Sequence, residues 1–251
     1  MMPMYGFVDL DDTLFQTAKK CAPGEELVPA ALDREGRPLS FMTRRQQALF
    51  QWLASSATLI PTTARNSGAF GRVLLPWSHR AILDYGAVVL REDHTPDPAW
   101  HGRMDEALAP YEAALGRIHG EMTALAAREV LAVRGRVIED FGLTLYVVFK
   151  NVDPASGDLA RLHRRVREEG MATGYSLFFN DNNLAVVPSC LDKRLAVAYV
   201  LEEVRRAEGE PLLAFGMGDS LSDVPYLAGL DFALVPGGSQ IMTSLREALH
   251  V

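Results

Sequence analysis

Three carboxylates in four residues, Asp9, Asp11 and Asp12, follow directly on the apolar run Tyr5 to Val8, and few folds accommodate that. The run reads as a buried strand, so the acids emerge where it ends. Like charges crowded at the rim of a core repel one another, and stability alone gives no reason to put them there. Something positive must offset them, and a divalent metal, with its preference for oxygen ligands, is the economical answer. Taken by itself, the segment also reads as an acidic strand end running into a turn.

Two later segments repeat the arrangement. The uncharged strand Ala57 to Pro61 ends in Thr62-Thr63-Ala64-Arg65-Asn66, a hydroxyl pair and an arginine at the carboxyl end where open α/β sheets bind ligands. The apolar run beginning at Leu212 ends in Gly216-Met217-Gly218-Asp219-Ser220-Leu221-Ser222-Asp223. Gly216 and Gly218 hint at a dinucleotide loop, but the third glycine is missing and Asp219 would face the pyrophosphate, so that reading is rejected. Between these segments, Asp192 is suited to cap a helix running from Lys193 to about Arg206 and stopping near Gly209. Lys193 then lies in the first turn, where the macrodipole disfavours a cation by about 0.3 kcal/mol or more, which suggests a local anion.

In order and in setting, these segments resemble the four motifs of the haloacid dehalogenase superfamily of phosphohydrolases. The resemblance implies an α/β fold, a doubly wound Rossmann-like parallel-sheet core with an inserted α+β cap. It implies that Asp9 is the nucleophile, becoming an aspartyl-phosphate, and that Asp11 is the general acid and base. Thr63 and Lys193 would hold the transferring oxygens. Mg²⁺ would take Asp9, Asp219 and the main-chain oxygen of Asp11 as ligands, with Asp223 binding directly or orienting a water. Two departures stand out. Sugar-phosphatase-like members commonly read Thr-Gly-Arg where this chain has Thr63-Ala64-Arg65, and Ser222 stands where an Asn often precedes the second acid. Asp-Leu-Asp-Asp-Thr-Leu, Gly-Asp-Ser and the cap placement look most similar to sucrose-phosphate phosphatase-like and mannosyl-3-phosphoglycerate phosphatase-like members.

The rest of the chain fits around that core. Asp33-Arg34-Glu35-Gly36-Arg37-Pro38 is a turn signal between Leu27–Leu32 and Leu39–Phe41, and predicts a hairpin-like flap beside the first acids. A helix is expected from Thr43, capped reciprocally with Gln46, with Leu49, Trp52 and Leu53 turned inward. Ile82 to Leu90 reads as a further strand and turn. From Asp97 the composition changes: one long helix over Pro98 to Glu129, strands at Val130–Ile138 and Leu143–Lys150, a helix over Gly157–Glu169, and strands at Tyr175–Phe179 and Leu184–Val187. Helix, two strands, helix, two strands make an open-faced α+β unit. The expected division is therefore 1–84 plus 188–251 for the catalytic core and 85–187 for the cap. Arg65 from the core and Arg134, Lys150, Asn180 and Asp181 from the cap are candidates to meet sugar hydroxyls, although each also reads as a solvated strand or turn residue.

With 251 residues and 48% hydrophobic content, the chain can bury a core of this size. A net charge of −7 excludes the electrostatic footprint of a nucleic-acid or anionic-membrane binder. Gln46 to Ala64 is uncharged, but its Gln, Ser, Thr and Pro residues exclude a membrane span. No basic segment followed by an apolar core points to a signal peptide. Cys21 and Cys190 lack metal-ligand spacing and suit a reducing cytoplasm. The expected function is Mg²⁺-dependent hydrolysis of a small phosphorylated metabolite, a sugar phosphate in the first instance. The alternatives are a phosphomutase on the same scaffold and a non-catalytic phospho-aspartate signalling module. The latter class carries its acid pair and its acceptor on different strands and is much shorter. A dehalogenase is disfavoured, since halide departure needs no acid at Asp11.

Overall fold

Strand β1 (Met4–Val8) has a parallel neighbour on each side, and the acids that follow it emerge between two other strand ends. The structure, a computed structural model, describes residues 2–180, 182–209 and 211–250. After β1 come β2 (Gln16–Thr17), β3 (Leu27–Leu32), β4 (Pro38–Thr43), helix α1 (Arg44–Ser56), β5 (Thr58–Pro61), α2 (Ser67–Phe70) and the hairpin β6 (Ala81–Leu83) with β7 (Val88–Leu90). The middle of the chain holds α3 (Pro98–Leu108), α4 (Glu112–Arg128), β8 (Val133–Asp140), β9 (Leu143–Asn151), α5 (Asp158–Glu168), β10 (Tyr175–Asn180) and β11 (Asn183–Pro188). It closes with α6 (Lys193–Glu208), β12 (Leu213–Met217), α7 (Val224–Leu227), β13 (Phe232–Leu234) and α8 (Gln240–Leu249).

The chain divides into two units, Met1–Pro98 with Asp192–Val251, and Ala99–Leu191. Among the described residues of the first unit, the parallel sheet runs β13-β12-β1-β5. Its register pairs Val8 with Met217 on one side and with Pro61 on the other, so three strands end level. Phe7, Val8, Ile60, Ala214 and Phe215 are buried, as strands covered on both faces require. The flap expected beside the first acids is a three-stranded sheet, β2-β4-β3. Thr43 and Gln46 form the reciprocal cap at the start of α1. The inward face of α1 differs from expectation: Phe50 and Leu53 are buried, Leu49 is half-buried, and Trp52 is 61% exposed.

The second unit lays α4 and α5 on one face of an antiparallel sheet, β10-β11-β9-β8. Leu115, Met122 and Leu125 of α4 meet Leu159, Leu162 and Val166 of α5 over Val147, Phe149, Leu184 and Val186. The single long helix expected over 98–129 is two, because Pro110 has no N–H to continue the ladder and α3 stops at Leu108. The divisions at 98/99 and 191/192 lie beyond the expected 84/85 and 187/188. Before 98, Arg80 bonds Asp97 at 3.2 Å and the Tyr199 hydroxyl donates to the same carboxylate at 2.8 Å, which ties this stretch to α6. At the return, β11 runs on through Pro188, opposite Tyr175.

Candidate active site

The level strand ends bring the acids together. Asp9 follows β1, and its N–H donates to the Met217 carbonyl at 2.8 Å, which sets it beside the Gly218-Asp219 loop. On the other flank, the Thr62 N–H donates to the Val8 carbonyl at 2.8 Å, so Thr63 and Arg65 stand across from that loop. Lys193 opens α6 behind Asp192, whose side chain accepts from the Arg194 N–H at 2.7 Å.

At the centre is one ammonium between two carboxylates. Lys193 Nζ donates to Asp9 Oδ1 at 2.6 Å and to Asp223 Oδ1 at 2.7 Å, and all three residues are buried. The cation placed against its helix dipole is thus held by anions from two other elements. The second oxygen of Asp223 accepts from the Ser220 N–H at 3.1 Å and from the Ser220 hydroxyl at 2.7 Å, so this carboxylate also fixes the turn that carries Asp219. Gly218 is required there, since a Cβ would stand 2.7 Å from Asp223 Cβ. The Gly216-x-Gly218 spacing therefore serves close packing.

Carboxylate oxygens of Asp9, Asp219 and Asp223 lie within 4.8 Å of one another. Three acids against one ammonium leave excess negative charge, and the titration shifts register it. Burial pushes the Asp9 carboxyl well above the usual carboxylate range against the pull of Lys193, with Asp223 and Asp219 adding to the rise. Burial, then the charges of Asp223 and Asp12, push Asp219 up to about 6. Burial alone would lower the Lys193 ammonium, but Asp223 and Asp9 raise it well above its ordinary value. An all-oxygen cluster with uncompensated charge fits a hard divalent cation such as Mg²⁺. The Asp11 side chain is outside this cluster. Arg65 takes both its oxygens, at 2.6 and 2.7 Å.

Several contributors escaped the sequence reading. Thr13 bridges two acids, its hydroxyl 3.1 Å from Asp9 Oδ2 and 3.3 Å from Asp219 Oδ1. The Tyr226 ring lies 5.8 Å from Lys193 Nζ, while its hydroxyl donates to the Met217 carbonyl at 2.7 Å. Lys20 pairs with Asp12 at 2.6 Å, drawing that acid toward the flap side. Of these, only Thr13 had a local signal, a threonine four residues after the first acid. Thr63 is buried, its hydroxyl accepting from the Arg65 N–H at 3.2 Å. Arg134, Lys150 and Asn180 belong to the second unit, where Arg134 and Lys150 are opposite one another on β8 and β9. Asp181 lies outside the described residues. Cys21 and Cys190 are free thiols. Among the described residues, no helix is long and apolar enough to cross a membrane.

No family model and no curated protein matches this chain. Its likeness is to solved structures. A trehalose-6-phosphate phosphatase related protein aligns over 98% of this chain and 96% of its own, with a TM-score of 0.53 and 16% identity. A Thermoplasma acidophilum protein covers 98% of this chain and 89% of its own, with a TM-score of 0.52 and 12% identity. The C-terminal domain of the C. albicans trehalose-6-phosphate phosphatase covers 90% and 73%, with a TM-score of 0.51 and 12% identity. At these identities the likeness is one of fold, and it spans both units of the chain.

Proposed function

We propose that this chain, which has the α/β fold of the haloacid dehalogenase superfamily with its inserted α+β unit, is a Mg²⁺-dependent phosphatase acting on a small phosphorylated metabolite, most simply a sugar phosphate. The observation that carries this reading is the Lys193 ammonium held between Asp9 and Asp223 at 2.6 and 2.7 Å. It supports a reading in which Asp9, at a strand end, is the nucleophile and the adjoining acids are left to a cation. Sugar phosphate is the first substrate class because the fold is shared with the C-terminal domain of a trehalose-6-phosphate phosphatase and with a protein related to such phosphatases.

Phosphate monoesters resist hydrolysis because their anionic oxygens repel nucleophiles. Asp9, Asp219 and the main-chain oxygen of Asp11 would hold Mg²⁺ beside Asp223, and the bound ion supplies the charge neutralisation that lets an anion approach phosphorus. Lys193 adds a fixed positive charge, and the Thr63 hydroxyl adds a donor for a phosphoryl oxygen. Asp11, freed from Arg65, carries a proton into the step: a carboxylate oxygen of Asp9 attacks phosphorus, the P–O ester bond breaks, and the departing alkoxide takes that proton. Asp11, now ionised, accepts a proton from water as that water attacks the aspartyl-phosphate. Inorganic phosphate leaves, and Asp9 is regenerated as a carboxylate.

In this reading Arg65 holds Asp11, and leaving-group selectivity belongs to the second unit, through Arg134, Lys150, Asn180 and Asp181. The experiment is a panel of sugar phosphates and small metabolites incubated with Mg²⁺, with inorganic phosphate as the readout. Steady release is expected on at least one, and release that is absent from all of them, or unaffected by chelation, contradicts the assignment.

A further inference from the structure

Between Thr63 and Lys193 lies a turn whose backbone is costly. Asp84, Tyr85 and Gly86 are consecutive and buried, with φ of 51°, 57° and 97°. Left-handed backbone is disfavoured for a residue with a side chain, and it persists only where the surroundings over-determine it. Two such residues beside a left-handed glycine, joining strands of three residues each, call for a reason beyond closing a hairpin.

The surroundings supply one. On one side the turn carries the main chain of the threonine loop. Thr63 N–H donates to the Ile82 carbonyl at 2.8 Å, Asp84 N–H to the Arg65 carbonyl at 2.9 Å, and Tyr85 N–H to the Thr63 carbonyl at 3.4 Å. On the other side Gly86 lies against the start of α6. A Cβ there would stand 2.7 Å from the Asp192 carbonyl oxygen and 3.1 Å from the Lys193 nitrogen. These atoms are backbone, so the clash could not be relieved by a side chain turning away.

We infer that the Asp84–Gly86 turn is a positioning element that sets the spacing between Thr63 and Lys193, the two sides of the phosphate cradle. The inference rests on the phosphatase reading for what that spacing serves. Left-handed backbone lets the turn bond to one loop while its glycine touches the other. Lys193 in turn holds Asp9 and Asp223, so a shift at Gly86 is transmitted to the nucleophile.

The test is Gly86→Ala in the full chain, with Gly209→Ala as the control. Gly209 ends the same helix with a φ of 78°, and a Cβ there meets nothing within 4 Å, so the control carries backbone strain without the contact. Two readouts accompany a melting curve: acetylation of Lys193 in the folded protein, followed by peptide mass, and the affinity for inorganic phosphate in the presence of Mg²⁺. Gly86→Ala is expected to melt cooperatively, to expose Lys193 to acetylation, to bind phosphate about tenfold more weakly, and to lose about 10²-fold in kcat/KM on an aryl phosphate, the scale of a misplacement near 1 Å. Gly209→Ala should match wild type in both readouts. If Gly86→Ala does not fold, Asp84→Gly carries the test, since it adds no atom and loosens the turn, and the same two changes are expected. A folded variant with wild-type acetylation and wild-type phosphate affinity overturns the inference. If wild type neither binds phosphate nor hydrolyses esters, the phosphatase reading fails, and Lys193 acetylation still decides whether the turn positions it.

Discussion

Arg65 grips both oxygens of the Asp11 carboxylate, Nε donating to Oδ2 at 2.6 Å and Nη2 to Oδ1 at 2.7 Å. The same guanidinium donates from Nη1 to the Ala69 carbonyl at 3.3 Å and lies 5.1 Å over the Phe15 ring. Its fork is thus engaged with Asp11 and its own loop, an arrangement that a lysine cannot reproduce. On the proposed mechanism Asp11 serves the alkoxide only when this pair opens, and Arg65 recaptures the ionised carboxylate after the transfer, so Arg65→Ala should slow hydrolysis of an alkyl phosphate by about 10²-fold. An activated aryl phosphate, whose leaving group needs little protonation, should lose far less, and Arg65→Lys should recover only part of the alkyl rate. Equal losses on both esters would separate Arg65 from the proton transfer.

Lys193 offers a stability test. Removing it leaves Asp9 and Asp223 buried without their shared counter-charge, a loss on the order of 3–5 kcal/mol. Lys193→Met should therefore melt well below wild type, and added Mg²⁺ should recover more stability in the variant than in wild type. A melting temperature unmoved by the substitution would contradict the placement of the ammonium between the two acids.

The pH dependence follows from Asp219. Its folded value of about 6 lies above the ordinary 3.8, so the folded state binds the extra proton. Stability without metal is greatest below the ordinary value and falls as pH rises from about 4 to about 6. A divalent cation takes the proton's place, so the rise in melting temperature on adding Mg²⁺ should be large at pH 7.5 and small at pH 5. Thermal melts at both pH values with and without Mg²⁺, repeated with Asp219→Asn, check this. The same Mg²⁺ shift in the variant would remove Asp219 from the cation site.

How much of this was legible in the sequence depended on where each residue sits. Asp9 and Asp219 stand at the ends of apolar strands, where local pattern marks them, whereas Thr63 and Lys193 gain weight only beside the first acids, since a threonine near a strand and a lysine at a helix start are common. The partner of Arg65 was not legible, because 54 residues separate it from Asp11 and only the register of β5 on β1 brings them together. Tyr226 carries no local signal, and only α7 brings its ring near Lys193. Trp52 shares a helical stripe with inward residues, and periodicity does not rank neighbouring positions of one stripe, so its 61% exposure has no local mark. The helix break does have one, Pro110. The division at 98/99 hinges on Asp97 reaching Arg80 and Tyr199, contacts across the fold that no local composition marks.

Selectivity gives a separate prediction for the second unit. Lys150→Ala should change the ranking among sugar phosphates while leaving the rate on a small aryl phosphate near wild type. Competition assays with paired sugar phosphates would read this, and an unchanged ranking would move selectivity away from Lys150.

The central claim is that Asp9 is the nucleophile, and one substitution isolates it. Asp9→Asn keeps the size and shape of the side chain, retains a carbonyl oxygen to accept from Lys193 or Thr13, and removes the attacking carboxylate. The measurement is release of inorganic phosphate from the best ester of the panel, with Mg²⁺, by wild type and by a variant shown by its melting curve to be folded. Abolished turnover in the folded variant is the predicted result, and phosphate release at the wild-type rate would contradict the account.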